Sequence, residues 1–463
     1  MIYLPSLLAS STSSVGKEYQ KEKSSINRST STCDPVYTKI RGKWYDFGQF
    51  NHPGGPIALS LVKDRDGTAM FESHHLLVPR LKLENILKKY QVCESKASKL
   101  KLMNETDGGH FDWKKFENDK FVLDAKEILV DYLSPIAERN KCTLFQAAKA
   151  TPRRWTIILA LASAFIAMLP HFIAGKLWSV FVIPQLAWVF WVNYWHDSLH
   201  FSLSRDWRVN AVLPYFFAVL SSPHMWYHQH NIGHHAYTNI AHKDPDLAHA
   251  PQLMREHPSI KWRESHTNQD SYLRVTFVWS IATGLGLSLL NDFKTNMKLS
   301  YNNVVPFARL SPARMVMYLL GRAIYVYSIF LWPFYYFPLW KAVIFATVPI
   351  AFFSLSFMLN TQINHLTENC HNASDKNFLK HQVVTAQNFG CNSSFCFLYS
   401  GGLNFQIEHH LYPYVNHCHL PSLAPKVKAL CKKHDVPYNE AAGYGDALKS
   451  HFAHTKKMSQ QPF

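Results

Sequence analysis

The chain of 463 residues carries four long apolar runs separated by polar stretches. The runs 155–174 and 177–195 each contain roughly 20 uncharged positions, enough for a helix that crosses ~30 Å of hydrocarbon. The runs 315–337 and 339–363 form a second pair of similar length. Because the connection within each pair is very short, each pair is predicted to form a helical hairpin. The pattern therefore predicts four membrane-spanning helices.

Two shorter apolar runs, 209–223 and 275–290, contain 15 and 16 residues. This length falls short of a full membrane crossing. We therefore expect both segments to lie at the membrane interface or to re-enter the membrane from one side.

The polar stretches divide the chain further. Residues 1–32 are rich in Ser and Thr and are predicted to be a disordered lead. Residues 33–93 are predicted to form a small α+β domain, with a strand near Lys43–Phe47 followed by a Pro-Gly turn and helices. Residues 94–112 are predicted to be a polar linker. The remaining residues, 113–455, are predicted to form an all-α integral membrane domain.

Composition and charge agree with a membrane protein. Charged residues make up only 17% of the chain, below the ~25% that is typical of soluble domains. The net charge is +16, and basic residues such as Lys149, Arg153 and Arg154 flank the apolar runs, as cytosolic loops do. The sequence contains no helix-turn-helix or RNA-binding signature, so no nucleic-acid partner is expected. Its eight cysteines contain no C-x-x-C pair, which favours free thiols in a reducing compartment.

Histidine is unusually common, with 26 residues against 18 glycines, and imidazole is the commonest metal ligand. Three clusters lie beside the apolar runs: His196-Asp-Ser-Leu-His200, His230-Asn-Ile-Gly-His234-His235 and Gln406-Ile-Glu-His409-His410. On a helix, positions i and i+4 share a face, so His196 and His200 are predicted to point into one site. The same spacing predicts a second pair, His230 and His234. Adjacent histidines point about 100° apart, which suits two neighbouring metal ions.

Topology places the three clusters together. No predicted span separates the first two clusters, and two predicted spans separate the second from the third. All three therefore lie on one side of the membrane, predicted to be the cytosolic side. His365, at the end of the fourth span, faces the same side and is either a further ligand or a polar helix cap. His224, His228 and His242 are either outer partners of the site or unrelated to it.

The ligand types narrow the choice of metal without fixing it. Imidazole-rich sites suit iron, copper or zinc. The membrane location and the scarcity of carboxylate ligands favour iron that activates oxygen.

The small N-terminal domain contains a further histidine pattern. Its parts are the tetrapeptide His52-Pro53-Gly54-Gly55 and, further along, Phe71 and the pair His74-His75. The Pro-Gly-Gly turn lets the backbone approach a flat ligand while the preceding histidine projects toward it. Two histidines on opposing loops can bind a haem iron axially. The pattern predicts a haem-binding electron carrier.

These motifs resemble two known families. Residues 33–93 resemble cytochrome b5, whose haem-binding loops match HPGG and FESHH. The spacing after Phe71 makes His75 the second haem ligand, with His74 as the alternative. Residues 113–455 resemble the membrane fatty acid desaturases, whose three histidine boxes match HDSLH, HNIGHH and QIEHH. A cytochrome b5 domain ahead of a desaturase whose third box begins with Gln is the pattern of front-end desaturases, and the segments GHHAYTN, DPD and GGLNFQIEHHLYP strengthen it.

The resemblance implies a haem b domain and a di-iron centre that uses O2 to place a cis double bond in a fatty acyl chain, expected to be polyunsaturated. Gln406 stands where related desaturases have a histidine. The implied iron ligands are His196, His200, His230, His234, His235, His365, His409 and His410.

The same resemblance implies where the protein works and with what. Electrons come from NADH through cytochrome b5 reductase, and a flexible 94–112 linker lets the haem domain dock and swing away. The expected location is the endoplasmic reticulum membrane, with the haem and catalytic parts cytosolic. We expect a narrow apolar tunnel to hold the acyl chain. The aromatic residues of 187–195 and 327–337 either line it or face lipid and pack within the bundle, and the second alternative is favoured for each residue individually.

Other functions fit parts of the pattern. A sphingolipid long-chain-base desaturase shares the haem-domain fusion and the Gln-type box, and a hydroxylase can use the same scaffold. A membrane haem electron carrier or a metal transporter without desaturase chemistry is the alternative from a different class. A transporter is expected to carry polar residues within its spans, whereas the histidines here lie at the span ends.

Overall fold

The computed structural model describes residues 34–103, 110–371 and 373–461, and of residues 287–289 it describes only the backbone. The predicted disordered lead, 1–32, lies outside these ranges. The described chain is mainly helical, with three small two-stranded sheets.

The N-terminal part contains both strands and helices. Strands Tyr37–Ile40 and Lys43–Asp46 pair antiparallel, with Tyr37 opposite Asp46, and the second of them is the strand expected near Lys43–Phe47. Ile40, Tyr45 and Leu87 belong to the small buried core behind this sheet. Its helices are Pro56–Val62, Thr68–His74 and Arg80–Tyr90.

Both described ends of the predicted linker are packed. Residues Glu94–Ala97 form a short helix, and the amide of Met103 donates to the Asp64 carbonyl at 2.7 Å. At the other end, Phe111 is buried and its ring lies 5.1 Å from that of Phe378 in the helical domain. Hydrophobic side chains inside the segment, Met103 and Phe111, cause this packing.

The helical domain begins at Trp113. Its α-helices are Trp113–Phe116, Lys120–Arg139, Leu144–Ala147, Pro152–Ile173, Ser179–Leu199, Trp207–Val212, Pro223–Trp226, His235–Tyr237, Tyr272–Phe277, Thr283–Leu285, Asp292–Lys298, Pro312–Val326, Trp332–Tyr336, Leu339–His365, Phe378–Val384, Ser394–Ser400, Gln406–Leu411, Leu420–Lys433 and Tyr444–Ser459. Short 3-10 helices are Leu213–Tyr215, Pro245–Ala248, Glu264–His266 and His417–His419. Wider π-helical turns are Tyr227–His234, Val278–Ala282, Gly286–Asn291 and Tyr327–Leu331. The strands are Ser300–Tyr301 with Val305–Pro306, antiparallel, and Gln387–Phe389 with Asn439–Ala441, parallel.

Among the residues that the structure describes, three helical stretches are long and apolar enough to cross a membrane. They are Leu144–Ile173, Pro312–Tyr336 and Leu339–His365. The second predicted span also forms a helix, Ser179–Leu199, but it is not one of the three. Its aromatic and polar residues, among them Asn193, lower its mean hydropathy, and most of its second half is buried within the protein.

Helix Ser179–Leu199 is the centre of the bundle. It packs against both Pro152–Ile173 and Leu339–His365. Trp188 is fully buried in this packing, with its ring 5.8 Å from that of Phe353. The burial of large aromatic side chains on two neighbouring helices holds the ends of these helices at fixed positions, which is where the histidine clusters lie.

The apolar run 275–290 belongs to a helical stretch that continues from 272 to 298. The hydroxyl of Ser354 donates to the carbonyl of Trp279 at 2.7 Å and attaches this stretch to Leu339–His365. Asp292, past the end of the apolar run, forms an ion pair with Arg322 at 2.8 Å. The helix is therefore longer than its apolar run, because a charged residue within it is paired.

Candidate metal centre

The first histidine box lies at the C-terminal end of helix Ser179–Leu199. His196 is in the last turn and His200 follows the helix directly, and their ring centroids are 4.7 Å apart. This is the arrangement that the i, i+4 spacing predicts. Asp197, between them in sequence, forms a fully buried ion pair with Arg154, with 3.3 Å between Oδ2 and Nη2.

The second box lies on a π-helix, Tyr227–His234, whose turns are wider than those of an α-helix. The amide of His235 accordingly donates to the carbonyl five residues earlier, that of His230. Their Nε2 atoms are 3.1 Å apart. His230 and His234, the pair expected from the i, i+4 spacing, are also neighbours, with their rings stacked at 5.4 Å. The π-helical turn therefore adds a contact between positions i and i+5 to the expected one.

The third box forms the short helix Gln406–Leu411, which follows a turn at Gly401 and Gly402. His365 ends the long helix Leu339–His365 beside it. The Gln406 side-chain amide donates to Nε2 of His365 at 2.9 Å, and Nδ1 of His365 donates to the Thr385 carbonyl at 2.9 Å. His365 thus lies inside the site, next to Gln406 of the third box.

The histidines form two adjoining clusters, all of them buried. The first consists of His196, His200, His230 and His409, and the second of His234, His365 and His410. Two smaller candidate metal-binding groups overlap them: His196, Asp197 and His417, and His230, His234 and Asp246. His235 lies between the clusters, with its Nε2 3.1 Å from that of His409 and its ring stacked on that of His410 at 4.2 Å. The adjacent pair 409–410 is divided between the two clusters, and the rings of His234 and His235 are nearly perpendicular. This is the arrangement that a 100° offset between neighbouring helix positions produces.

The nitrogen separations fit metal ligation. The Nε2–Nε2 distances are 3.0 Å for His196–His230, 3.1 Å for His230–His235, 3.1 Å for His235–His409 and 3.3 Å for His234–His365. Two nitrogens bound to one ion at right angles, each at about 2.1 Å, lie roughly 3.0 Å apart. The ring nitrogens therefore converge at the separation that shared metal ions require.

Buried ring nitrogens without a hydrogen-bond partner also indicate metal binding. Within the described part of the chain, both ring nitrogens of His200 and Nε2 of His410 are buried without a hydrogen-bond partner. Buried polar atoms are rarely left unsatisfied in proteins. Nδ1 of His410, by contrast, lies 2.9 Å from Oε1 of Gln382, which leaves Nε2 as the nitrogen that can bind a metal.

Electrostatics keep most of these imidazoles neutral. Burial lowers the pKa of His200, His230, His235, His409 and His410 far below the usual value, and neighbouring imidazoles lower it further. A neutral imidazole has the free lone pair that a metal needs.

His234 differs from these five. Burial lowers its pKa, but the carboxylates of Asp244 and Asp246 outweigh burial and raise it. Nδ1 of His234 lies 3.1 Å from Oδ2 of Asp244. Such a carboxylate partner fixes which ring nitrogen faces the metal.

Sequence reasoning missed several groups at the site. His417 lies 3.1 Å from His409, and its signal was the His-Cys-His segment a short way after the third box. Asp244 and Asp246 were noticed as a motif but given no role. His224 and His228, left undecided, form a separate ring pair that packs on Phe307 and lies outside both clusters.

A cavity opens between the clusters and the helix bundle. Its lining contains His196, His365 and other cluster residues together with the apolar side chains Trp188, Trp191 and Phe357. The cavity therefore places apolar side chains beside the histidine clusters.

The two aromatic stretches differ in where their side chains lie. Of 187–195, Trp188 and Trp191 line the cavity. None of residues 327–337, all of which the structure describes, lines it. Tyr335 and Tyr336 in that stretch are 74% and 67% exposed, because their helix lies at the outer side of the bundle. These two residues therefore follow the outward-facing alternative that the sequence favours for individual aromatics.

The N-terminal domain presents a second pair of facing imidazoles. The rings of His52 and His75 are 6.0 Å apart and nearly perpendicular. Two axial nitrogens at about 2 Å on either side of one iron require a spacing of this size between ring centres. Nδ1 of His75 donates to the Phe71 carbonyl at 2.8 Å, which leaves Nε2 toward His52.

The structure separates the two candidates for the second haem ligand. His74 lies on the opposite side, where its ring is 6.1 Å from that of Tyr414 in the helical domain. His75, which faces His52, is therefore the residue whose position fits the ligand. A Cβ added to Gly54 would lie 3.0 Å from the His52 ring, so Gly54 leaves the space beside this imidazole open.

The N-terminal domain is docked against the second box. A Cβ at Gly55, where φ is +88°, would lie 2.5 Å from the Trp207 indole. The following helix, Pro56–Val62, packs on the π-helix Tyr227–His234, and Arg65 donates to the Pro306 carbonyl. These contacts place the N-terminal domain directly against the segment that carries the second box.

The fold and the site together define a class: a helical membrane oxidoreductase whose buried histidines could hold metal ions next to an apolar cavity. The comparisons agree. A family model for fatty acid desaturases matches residues 186–442, more than half of the chain. The chain therefore belongs to the fatty acid desaturase family and is an oxidoreductase.

Similar proteins carry related names. The chain is 28% identical to an acyl-lipid (8-3)-desaturase of Mortierella alpina, over 93% of this chain and 95% of that protein. It is also 28% identical to an acyl-lipid (8-3)-desaturase of Physcomitrium patens, over 96% and 92%. A probable Delta(5) fatty acid desaturase C of Dictyostelium discoideum is 25% identical, over 92% of each chain.

Proposed function

We propose that the protein is a front-end acyl desaturase that introduces a cis double bond into a fatty acyl chain, with a polyunsaturated chain as the expected substrate. The observation that carries the proposal is the pair of buried histidine clusters beside an apolar cavity. The names of the similar acyl-lipid desaturases support it. The reaction removes two hydrogen atoms from the chain and, with two electrons and two protons supplied, reduces O2 to two water molecules.

The two clusters and His235 are the residues that would hold two iron ions. When bound, iron supplies, with O2, the oxidising power to break an unactivated C–H bond, which no acid–base side chain can do. The protein's own residues keep the imidazoles neutral and their nitrogens converging.

The apolar residues that line the cavity have a separate role. Trp188, Trp191 and Phe357 present a surface that accepts methylene groups and excludes water from the site. Trp188 is fixed because its indole N–H donates to the Tyr399 carbonyl at 2.9 Å. A rigid wall of this kind holds an acyl chain at one depth relative to the clusters.

We propose haem b as the electron carrier of the N-terminal domain, held by His52 and His75. The docked position supports delivery at a fixed place, because His74, next to His75 in sequence, has its ring 6.1 Å from that of Tyr414 in the helical domain. Electrons would come from NADH through cytochrome b5 reductase, in the endoplasmic reticulum membrane with both sites cytosolic.

The alternatives fit less well. The similar proteins are named as fatty acyl or acyl-lipid desaturases, which does not favour a sphingolipid long-chain-base desaturase. Membership of the desaturase family speaks against a bare electron carrier or a metal transporter. The four-span arrangement stays part of this proposal, with Ser179–Leu199 as the fourth crossing.

The decisive experiment is expression in a desaturase-poor host that is fed a panel of saturated and unsaturated fatty acids. Mass spectrometry of all lipid classes is expected to show new double bonds in fatty acyl chains, and none with His235→Ala. His257→Ala, which changes a half-buried histidine outside both clusters, is the matched control. New double bonds only in sphingoid bases would overturn the proposed substrate, and unchanged product with His235→Ala would overturn the proposed centre.

A further inference from the structure

A buried set of polar groups connects the first and third histidine boxes through a residue that belongs to neither. His417 is 1% exposed, and its Nε2 lies 3.1 Å from Nδ1 of His409. On its other side, Nδ1 of His417 donates to the Gly401 carbonyl at 2.8 Å. The same nitrogen lies 3.2 Å from Oδ1 of Asp197 in the first box.

Asp197 is itself held firmly. Its Oδ2 accepts from Nδ2 of Asn416 at 2.8 Å and from Nη2 of Arg154 at 3.3 Å. Nη2 of Arg154 also donates to the Gly401 carbonyl at 3.0 Å. Because a buried carboxylate is costly unless it is paired and hydrogen-bonded, the guanidinium allows Asp197 to face His417 in the interior.

The backbone leaves His417 no freedom. Gly402 has φ +97°, and a Cβ there would lie 2.6 Å from Cβ of His417. Gly401 has φ +68°, and a Cβ there would lie 2.8 Å from the Val192 carbonyl oxygen. The two glycines let the chain turn tightly enough to press the His417 ring against His409.

These contacts determine where the protons are. Nδ1 of His417 donates to the Gly401 carbonyl and therefore carries the proton, and the negative charge of Asp197 at 3.2 Å favours the proton on that nitrogen. This leaves Nε2 of the neutral ring as an acceptor. Nδ1 of His409 must then be the donor in the bond between the two rings. Nε2 of His409 is left with a free lone pair, and it lies 3.1 Å from Nε2 of His235, inside the cluster region.

We propose that Asp197 and His417 form a positioning pair that holds His409 in the orientation and tautomer in which its Nε2 binds the metal. His417 also belongs to a candidate metal-binding group with His196 and Asp197, but its two ring nitrogens are occupied by the Gly401 carbonyl and by His409. It therefore acts on the metal through His409, as carboxylates and carbonyls behind metal-binding histidines generally do. The inference rests on the proposed metal centre. It also gives the aspartate of the first box a role, since Asp197 ties the first box to the third.

The test compares three variants with the full-length wild type, purified in detergent and loaded with Fe2+. His417→Ala removes the partner of His409. Asp197→Asn keeps the side-chain size but turns an amide N–H toward His417, which favours the wrong tautomer. The matched control is His419→Ala, which also removes a buried imidazole nearby, one that hydrogen-bonds to the Lys149 carbonyl at 3.0 Å and not to the clusters.

The readouts are iron bound per chain during titration with a chelator and the Mössbauer spectrum of the bound iron. Both test variants are expected to bind iron about 10- to 100-fold more weakly, with a changed spectrum, while His419→Ala matches the wild type. Added imidazole is expected to restore iron binding to His417→Ala. Circular dichroism checks that each variant is folded, and an unfolded His417→Ala leaves the decision to Asp197→Asn.

The outcomes separate this inference from the proposed function. Iron in the wild type together with unchanged iron binding in Asp197→Asn and in any folded His417→Ala would overturn the inference alone. An equal loss in His419→Ala would also overturn it, because any buried imidazole would then matter. A folded wild type that binds no iron would overturn the metal centre, and this inference with it.

Discussion

The molecule contains two histidine sites of opposite design. In the N-terminal domain, His52 and His75 face one another with 6.0 Å between ring centres. In the helical domain, ring nitrogens converge to between 3.0 and 3.3 Å of one another and adjoin an apolar cavity. A facing pair suits a six-coordinate iron that only carries electrons. A convergent set beside a cavity suits chemistry on a bound chain, so geometry assigns different tasks to the same side chain.

The two sites also differ in how they are assembled. The facing pair comes from one short stretch of chain, 52–75. The convergent set comes from four separate parts of the chain: the first box, the second box, the end of Leu339–His365 and the third box. A local site tolerates changes elsewhere in the fold, whereas the convergent set depends on the packing of the helices that carry it.

The largest expected effect is that a single substitution disables one of the two histidine sites and leaves the other site intact. His409→Ala is expected to lower desaturation by more than about 100-fold, since changing even an outer partner of a metal ligand costs 10- to 100-fold. The haem absorption band should be unchanged. His52→Ala should remove the haem band but leave iron in the helical domain. Absorption spectra and iron analysis check both, and loss of both cofactors in either variant would contradict the separation.

The second prediction tests whether His75 or His74 is the haem ligand that faces His52. His75→Ala is expected to abolish haem binding, because its Nε2 is the nitrogen left toward His52. His74→Ala should keep the haem band, because that ring lies beside Tyr414. The two neighbours are matched controls for each other in one absorption measurement. A band lost with His74→Ala and kept with His75→Ala would reverse the assignment.

The third prediction concerns the second cluster. His365→Ala is expected to lower the iron content from about two ions toward one per chain and desaturation by about 10- to 100-fold. The control is His381→Ala, a buried histidine that hydrogen-bonds to the Thr238 carbonyl at 2.8 Å and lies outside both clusters. Unchanged iron content in His365→Ala would make this residue a helix cap, the reading that the sequence left open.

The sequence could predict which histidines meet because spacing along a helix is a local property. The arrangement of His196 and His200 follows directly from it. The same spacing anticipates the neighbours His230 and His234, whose rings stack at 5.4 Å. The contact of His230 with His235 could not be predicted, because it depends on a π-helical turn and no local pattern signals such a turn. His417 was missed for a different reason: it contacts His409 and Asp197 only after distant parts of the chain pack together.

Other parts of the fold show the same limit. The long apolar runs predicted helices, but apolarity alone did not tell that Trp188 would line a cavity while Tyr335 would be exposed. Charge patterns predicted a polar linker, yet Met103 and Phe111 within it are buried. Whether an apolar or aromatic side chain faces the core, the cavity or the outside depends on the neighbouring helix.

The smallest expected effect tests whether the two sites work at a fixed distance. Gly55→Ala is expected to slow electron supply to the helical domain several-fold, because the added Cβ would lie 2.5 Å from the Trp207 ring and push the domains apart. Gly42→Ala is the matched control: its φ is also positive, at +80°, but no atom lies within 4 Å of the added Cβ. Both changes carry a backbone cost of ~1–2 kcal/mol, so a difference between them reports the contact with Trp207.

The measurement is the rate of haem reoxidation in the pre-reduced full-length protein when O2 and a fatty acyl substrate are added. The double variant Gly55→Ala with Trp207→Ala is expected to recover most of the rate, because the smaller side chain makes room for the Cβ. If Gly55→Ala and Gly42→Ala behave alike, the domain does not work from this docked position. The linker expected from the sequence would then move the haem domain after all.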